Sequence, residues 1–168
     1  MNSSDAFERD LTELLPRLRR FAFALSRNGA DADDLTQATV ERALRARSQW
    51  QPGTRFDSWL YRIMRNLWID TARARARKDK REAPEEEAQF VGEDPREAMH
   101  ASLELRRAME AMERLPEEQR EVVALILVEG FGYREVSEML DLPIGTVSSR
   151  LVRGRTALLG MLGGTSNG

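Results

Sequence analysis

The sequence predicts an all-α protein made of two small helical domains joined by a flexible acidic linker, and three observations lead there. Apolar residues return at three- and four-residue intervals along seven segments, with no strand-like alternation and no internal repeat. The 168 residues are 41% hydrophobic and 32% charged, enough apolar content for packed helices but too much charge for one large core. Residues 83–97, "APEEEAQFVGEDPRE", carry prolines at 84 and 95, three successive glutamates and few apolar side chains, the profile of a solvated tether. The expected domains are therefore 1–82, a bundle of three or four helices, and 98–168.

In the first domain the apolar spacing predicts helices over about 6–27, 31–47 and 57–80. On the second, Leu35, Thr39 and Ala43 fall on one side while Asp34, Gln37, Glu41 and Arg45 line another. By itself that polar stripe favours a solvated face, with Glu41 and Arg45 as an i,i+4 pair worth ~0.3–0.5 kcal/mol. The third helix, "DSWLYRIMRNLWIDTARARAR", takes Asp57 or Ser58 as its N-cap and turns Trp59, Leu60, Ile63, Met64 and Leu67 inward. Its other face is a ridge of Arg62, Asn66, Ile69, Arg73 and Arg77, with Tyr61 and Trp68 expected beside it. The preceding loop adds Trp50, Arg55 and Phe56. Guanidinium groups meet phosphates and rings stack on bases, so this interleaving suits a single nucleic acid strand; a solvated arginine face is the plain alternative.

The second domain is expected to hold helices at about 97–113, 117–129, 133–140 and 144–160. "YREVSEML", the corner "DLP" and "IGTVSSRLVRGR" have the layout of a helix-turn-helix, Pro143 suiting a helix start because its missing N–H would have been unpaired. Val147, Leu151, Leu158 and Leu162 are expected inside; Thr146, Ser149, Arg150 and Arg153 project outward, where base edges and phosphates can be met.

Charge sharpens the division. Residues 1–82 carry 17 Lys or Arg against 12 Asp or Glu, and residues 83–97 carry 1 against 6. Residues 98–168 carry 8 against 10, yet 142–168 holds Arg150, Arg153 and Arg155 with no acid, so two basic surfaces flank an acidic strip. With no cysteine and one histidine, the sequence excludes disulfides, a thiolate zinc site and a cysteine nucleophile. His100 reads as an incidental surface residue, and no clustered carboxylates or phosphate loop support a nucleic-acid enzyme, so neither cofactor nor metal is expected. No apolar run nears the ~20 residues that span a bilayer, and "MNSSDAFERDL" is no signal peptide, so a cytoplasmic protein is expected.

Taken together, "DADDLTQATVERAL…FDSWLYRIMRNLWIDTAR" and "LPEEQREVVALILVEGFGYREVSEMLDLPIGTVSSRLVRGR" resemble regions two and four of the extracytoplasmic-function (ECF) group of bacterial sigma factors, in the sigma-70 superfamily. The resemblance implies a protein that binds the RNA polymerase core and directs initiation at the promoters of a specific, stress-response regulon. Asp34, Gln37, Glu41 and Arg45 would then dock on the polymerase clamp helices, although Ala38 and Leu44 stand where the family usually has an acidic and often an aromatic residue. Arg62, Asn66, Ile69, Arg73 and Arg77 would lie on the minus-ten element, with Trp50, Arg55 and Phe56 in the loop that captures a base flipped from the non-template strand. Thr146, Ser148, Ser149, Arg150 and Arg153 would enter the duplex at minus thirty-five, Ser148 being neutral where many relatives are basic. It further implies an anti-sigma partner and no catalytic residue. The competing reading is a stand-alone helix-turn-helix regulator on an operator, which has no need of a basic, aromatic single-strand face.

Overall fold

The computed structural model divides the chain into two compact units, Met1–Val91 and Gly92–Gly168, of which residues 2–81 and 102–163 are described. Every regular element among the described residues is helical. The linker 83–97 and His100 lie outside the described residues.

The first unit is a bundle of α1 (Ser3–Ser26), α2 (Gly29–Arg45) and α3 (Phe56–Arg81), each packed on the other two, with a short 3-10 turn at Arg47–Gln49. Phe7, Leu11, Leu18, Phe21, Ala22 and Leu25 of α1 meet Ala32, Leu35 and Ala43 of α2 and Leu60, Tyr61 and Met64 of α3. Thr39 is the polar member of this core, and its hydroxyl is satisfied by donating to the Leu35 carbonyl at 2.7 Å. Only Arg27 and Asn28 separate α1 from α2. Arg27 takes the left-handed conformation, φ 56°, that closes α1, and the Asn28 side chain accepts from the Asp31 N–H at 3.0 Å to open α2. That cap sets the start of α2 two residues ahead of the expected position.

The second unit contains α4 (Leu103–Arg114), α5 (Glu117–Val123), α6 (Tyr133–Leu140) and α7 (Ile144–Gly163). Ser102 caps α4 by accepting from the Leu105 N–H at 3.2 Å. The single helix expected over 117–129 is α5 followed by a π turn, Ala124–Val128, where the Glu129 N–H reaches the Ala124 carbonyl at 2.9 Å. Val122, Val123, Ala124, Leu125, Phe131, Val136, Met139, Leu140, Val147 and Leu151 form the core. Leu158 and Leu162, expected inside, are half-buried. Gly154 lets α7 and α5 approach closely: a Cβ there would stand 2.7 Å from Val123 Cγ2 and 3.3 Å from Gln119 Cβ.

Candidate nucleic-acid interface

α3 presents the expected ridge. Arg62, Asn66, Arg73 and Arg77 are exposed and Ile69 is half-buried, with Asp70 exposed at its edge. Tyr61 departs from expectation. It is 1% exposed and packs edge-on against Phe21 at 4.9 Å, so it belongs to the core and is unavailable for stacking. The inward face of α3 is rotated accordingly: Leu60, Tyr61 and Met64 are buried, while Trp59, Ile63 and Leu67 are half-buried. Trp68 stays half-exposed at the ridge, with the Arg75 guanidinium 5.7 Å above its ring.

α3 begins at Phe56, ahead of both expected caps. The Arg55 carbonyl accepts from the Trp59 N–H at 3.3 Å, and Asp57 sits inside the first turn, where a carboxylate favours the helix dipole. Asp57 accepts from Arg55 at 3.1 and 2.9 Å and from the Ser58 N–H at 2.8 Å, with Arg17 at 3.4 Å. Burial opposes its ionisation, but those hydrogen bonds and the two guanidinium charges outweigh burial and hold the carboxyl below its usual range. Arg55, expected to face nucleic acid, thus has an intramolecular carboxylate partner.

The loop before α3 runs from Trp50 to Arg55, turning at Gly53 with φ 93° and closing through Thr54, whose N–H donates to the Gln51 carbonyl at 3.2 Å. Residues 51–55 are exposed, while Trp50 and Phe56 at its two ends are half-buried. Phe7 of α1 lies edge-on to Trp50, Phe56 and Trp59 at 6.3, 5.0 and 6.1 Å, and Trp50 meets Phe56 at 5.2 Å. Such ring pairs contribute ~0.5–1.5 kcal/mol each beyond buried area. Over Phe7 lies the Arg47 guanidinium, at 5.0 Å, donating to Ser4 Oγ at 2.6 Å and Glu8 Oε1 at 3.1 Å. Sequence reasoning missed Phe7 and Arg47, since only chain folding brings residues 4–8 to residues 47–59.

On α2, Asp34, Gln37, Glu41 and Arg45 are all exposed, opposite the buried Ala32, Leu35, Thr39 and Ala43. Arg75 of α3, another residue the sequence did not single out, grips Asp31 with two donors at 2.7 and 2.8 Å. Those hydrogen bonds hold Asp31 below the usual carboxylate range against the opposing effect of burial.

The helix-turn-helix is α6 and α7. Asp141, φ 54°, ends α6, the Ser137 hydroxyl donates to the Leu142 carbonyl, and the Pro143 carbonyl opens α7 by accepting from the Thr146 and Val147 N–H groups at 3.0 and 3.1 Å. Ser149 and Arg153 are exposed, whereas Thr146, Ser148 and Arg150 are half-buried. Arg153 leans on its own helix, with Nε 3.3 Å from the Ser149 carbonyl and Nη2 3.3 Å from Ser149 Oγ. Arg150 lies 3.8 Å from Glu118 of α5 and keeps only 20% of its side chain exposed.

Comparison with known proteins agrees in both units. The Sigma-70 region 2 family model matches residues 11–78, and the Sigma-70, region 4 model matches residues 105–158. ECF RNA polymerase sigma factor EcfG of Rhodopseudomonas palustris is 35% identical over 96% of the chain and 88% of its own length. SigE of Mycolicibacterium smegmatis is 40% identical over 84% of the chain, which spans 56% of that protein. The sigma factor RpoE from Bartonella quintana, solved with the anti-sigma factor NepR, superposes with a TM-score of 0.77 at 30% identity, covering 94% of this chain and 97% of that one. A self-standing operator-binding regulator leaves the region 2 match unexplained. Two units that match regions 2 and 4 in order, with relatives along nearly the whole chain, place it in a family: it belongs to the ECF RNA polymerase sigma factors, which recognise promoters and direct transcription initiation.

Proposed function

We propose that the exposed faces divide the work of initiation among named residues. Asp34, Gln37, Glu41 and Arg45 dock on core polymerase. Arg62, Asn66, Ile69, Arg73 and Arg77 hold the minus-ten element, with the loop from Trp50 to Phe56 taking the flipped base. Thr146, Ser148, Ser149, Arg150 and Arg153 meet the minus-thirty-five duplex, Arg153 at a base edge and Arg150 on the backbone. The supporting observation is that Arg62, Asn66, Arg73 and Arg77 are exposed on the helix whose Leu60, Tyr61 and Met64 fill the core. A buried side of that kind fixes the helix, and a fixed helix presents its opposite ridge as one rigid surface.

The protein acts in the cytoplasm, without catalysing a reaction itself, on a stress-response regulon. Away from core polymerase it is held by an anti-sigma protein, a reading supported by its likeness to the RpoE that was solved with NepR. No helix of the described residues is long and apolar enough to cross a membrane. Run-off transcription with core polymerase, with and without this chain, tests the whole reading. Permanganate footprinting tests the ridge: Asn66→Ala and Arg73→Ala should reduce unpaired minus-ten thymines while leaving association with core intact. Normal bubbles in both variants refute the ridge assignment.

A further inference from the structure

We infer that the first two turns of α1 position the minus-ten loop, with Phe7 and Arg47 as positioning residues for promoter opening. The inference rests on the base-capture reading of that loop. Residues 51–55 are exposed, but both ends of the loop are tied to one ring cage. Phe7, 6% exposed, is the ring that touches Trp50, Phe56 and Trp59 alike. It comes from a helix 43 residues away in sequence from Trp50, so the loop is set by a remote element and not by its own turn chemistry alone.

Arg47 locks that element in place. Asn2 makes no side-chain cap to α1; the first turns of α1 are instead bound by Arg47, through Ser4 and Glu8, with its guanidinium over the Phe7 ring. Trp50 supplies an internal reporter. Its indole N–H is shut from solvent and makes no hydrogen bond among the described residues, so packing alone shields it. A loop held this way enters the complex already ordered, and less ordering entropy opposes base capture.

The test uses the full chain with Phe7→Leu, and with Arg47→Ala as the variant that leaves the core rings intact. Exchange of the Trp50 indole proton, read by NMR, should quicken at least about tenfold in both variants, while the Leu60 and Met64 amides keep their protection. In reconstituted holoenzyme, competition for core should be unchanged, and the rate of minus-ten opening on duplex promoter should fall about tenfold. Unchanged indole exchange in both variants overturns the inference. Trp50→Ala serves as the control on the loop itself. Slower opening in Trp50→Ala with normal opening in Phe7→Leu and Arg47→Ala also overturns it and leaves base capture standing. Normal opening in all three removes the base-capture reading.

Discussion

The two helices proposed to face DNA, α3 and α7, are held by different means. α3, like α7, has a buried side, but it and its loop are tied further by contacts between remote segments: the Phe7 ring cage, Arg47 on Ser4 and Glu8, and Arg75 on Asp31. α7 is fixed by close aliphatic packing, with Val147 and Leu151 in the core and Gly154 against Val123. Among the described residues Arg153, exposed like Arg155, is braced by Ser149 of its own helix. The contrast follows the tasks assigned to each. A loop that must hold an unstacked base has no stiffness of its own and needs struts from elsewhere, whereas a helix entering a groove is already stiff and needs only its depth and rotation set.

The packing half of the contrast gives the largest expected effect. Gly154→Leu places a branched side chain where even a Cβ lies 2.7 Å from Val123 Cγ2, and overpacking of this kind costs about 3 kcal/mol. All three tryptophans, Trp50, Trp59 and Trp68, lie in the first unit, so fluorescence reports that unit alone. In urea, circular dichroism should show early loss of helix while the fluorescence midpoint holds. Coincident shifts of both signals mean the units do not unfold separately.

Recognition comes next. An arginine on a guanine edge contributes ~1–3 kcal/mol of discrimination, whereas a backbone contact weakens all sequences alike. Arg153→Ala should therefore relax preference at one or two minus-thirty-five positions in a promoter library, and Arg150→Ala should lower output uniformly and flatten its salt dependence. Wild-type preference, output and salt response in both variants break the assignment. Glu118, 74% exposed at 3.8 Å, holds Arg150 too loosely to replace a phosphate contact.

The smallest effect tests a strut. Asp31 and Arg75 join the start of α2 to α3, and as a half-exposed pair they contribute at most ~1 kcal/mol. Because the folded state lowers the Asp31 pKa, the contribution is present above the unfolded value of about 4 and fades as pH falls through the folded one. Asp31→Asn should lower the Tm of the first unit by a few degrees at pH 7, and the gap from wild type should close in acid. A gap that stays constant below pH 4 shows that the carboxylate charge is not its source.

Helix number and type were legible because the apolar residues keep a 3.6-residue period through every segment. The polar stripe of α2 and the ridge of α3 were legible for the same reason, since a face that avoids the core is written in the same spacing. What the period cannot carry is contact between remote segments. Tyr61 read as a companion of the ridge because nothing local shows that Phe21 covers it. Phe7, Arg47 and Arg75 stayed invisible because their partners lie 39 to 44 residues away or farther. Gly154 sat unremarked within a basic run, although the absence of its side chain sets the approach of α7 to α5.

The π turn at Ala124–Val128 bears on how this chain tolerates changes of length. Such a turn is equivalent to one extra residue absorbed within a helix. Deleting one residue between 124 and 128 would let the backbone close as an ordinary α-helix with its hydrogen bonds kept, so the segment itself need not melt. Everything downstream would keep nearly its rotation about the axis of α5, because the wider π winding already spreads the extra residue around the same turn that an α-helix completes with one fewer. Phe131 and the helix-turn-helix after it would keep their register with Val122 and Val123. A shortened chain of this kind would remain helical by circular dichroism and keep α7 on the same face of its unit, whereas the same deletion within α5 would turn everything after it by about 100°.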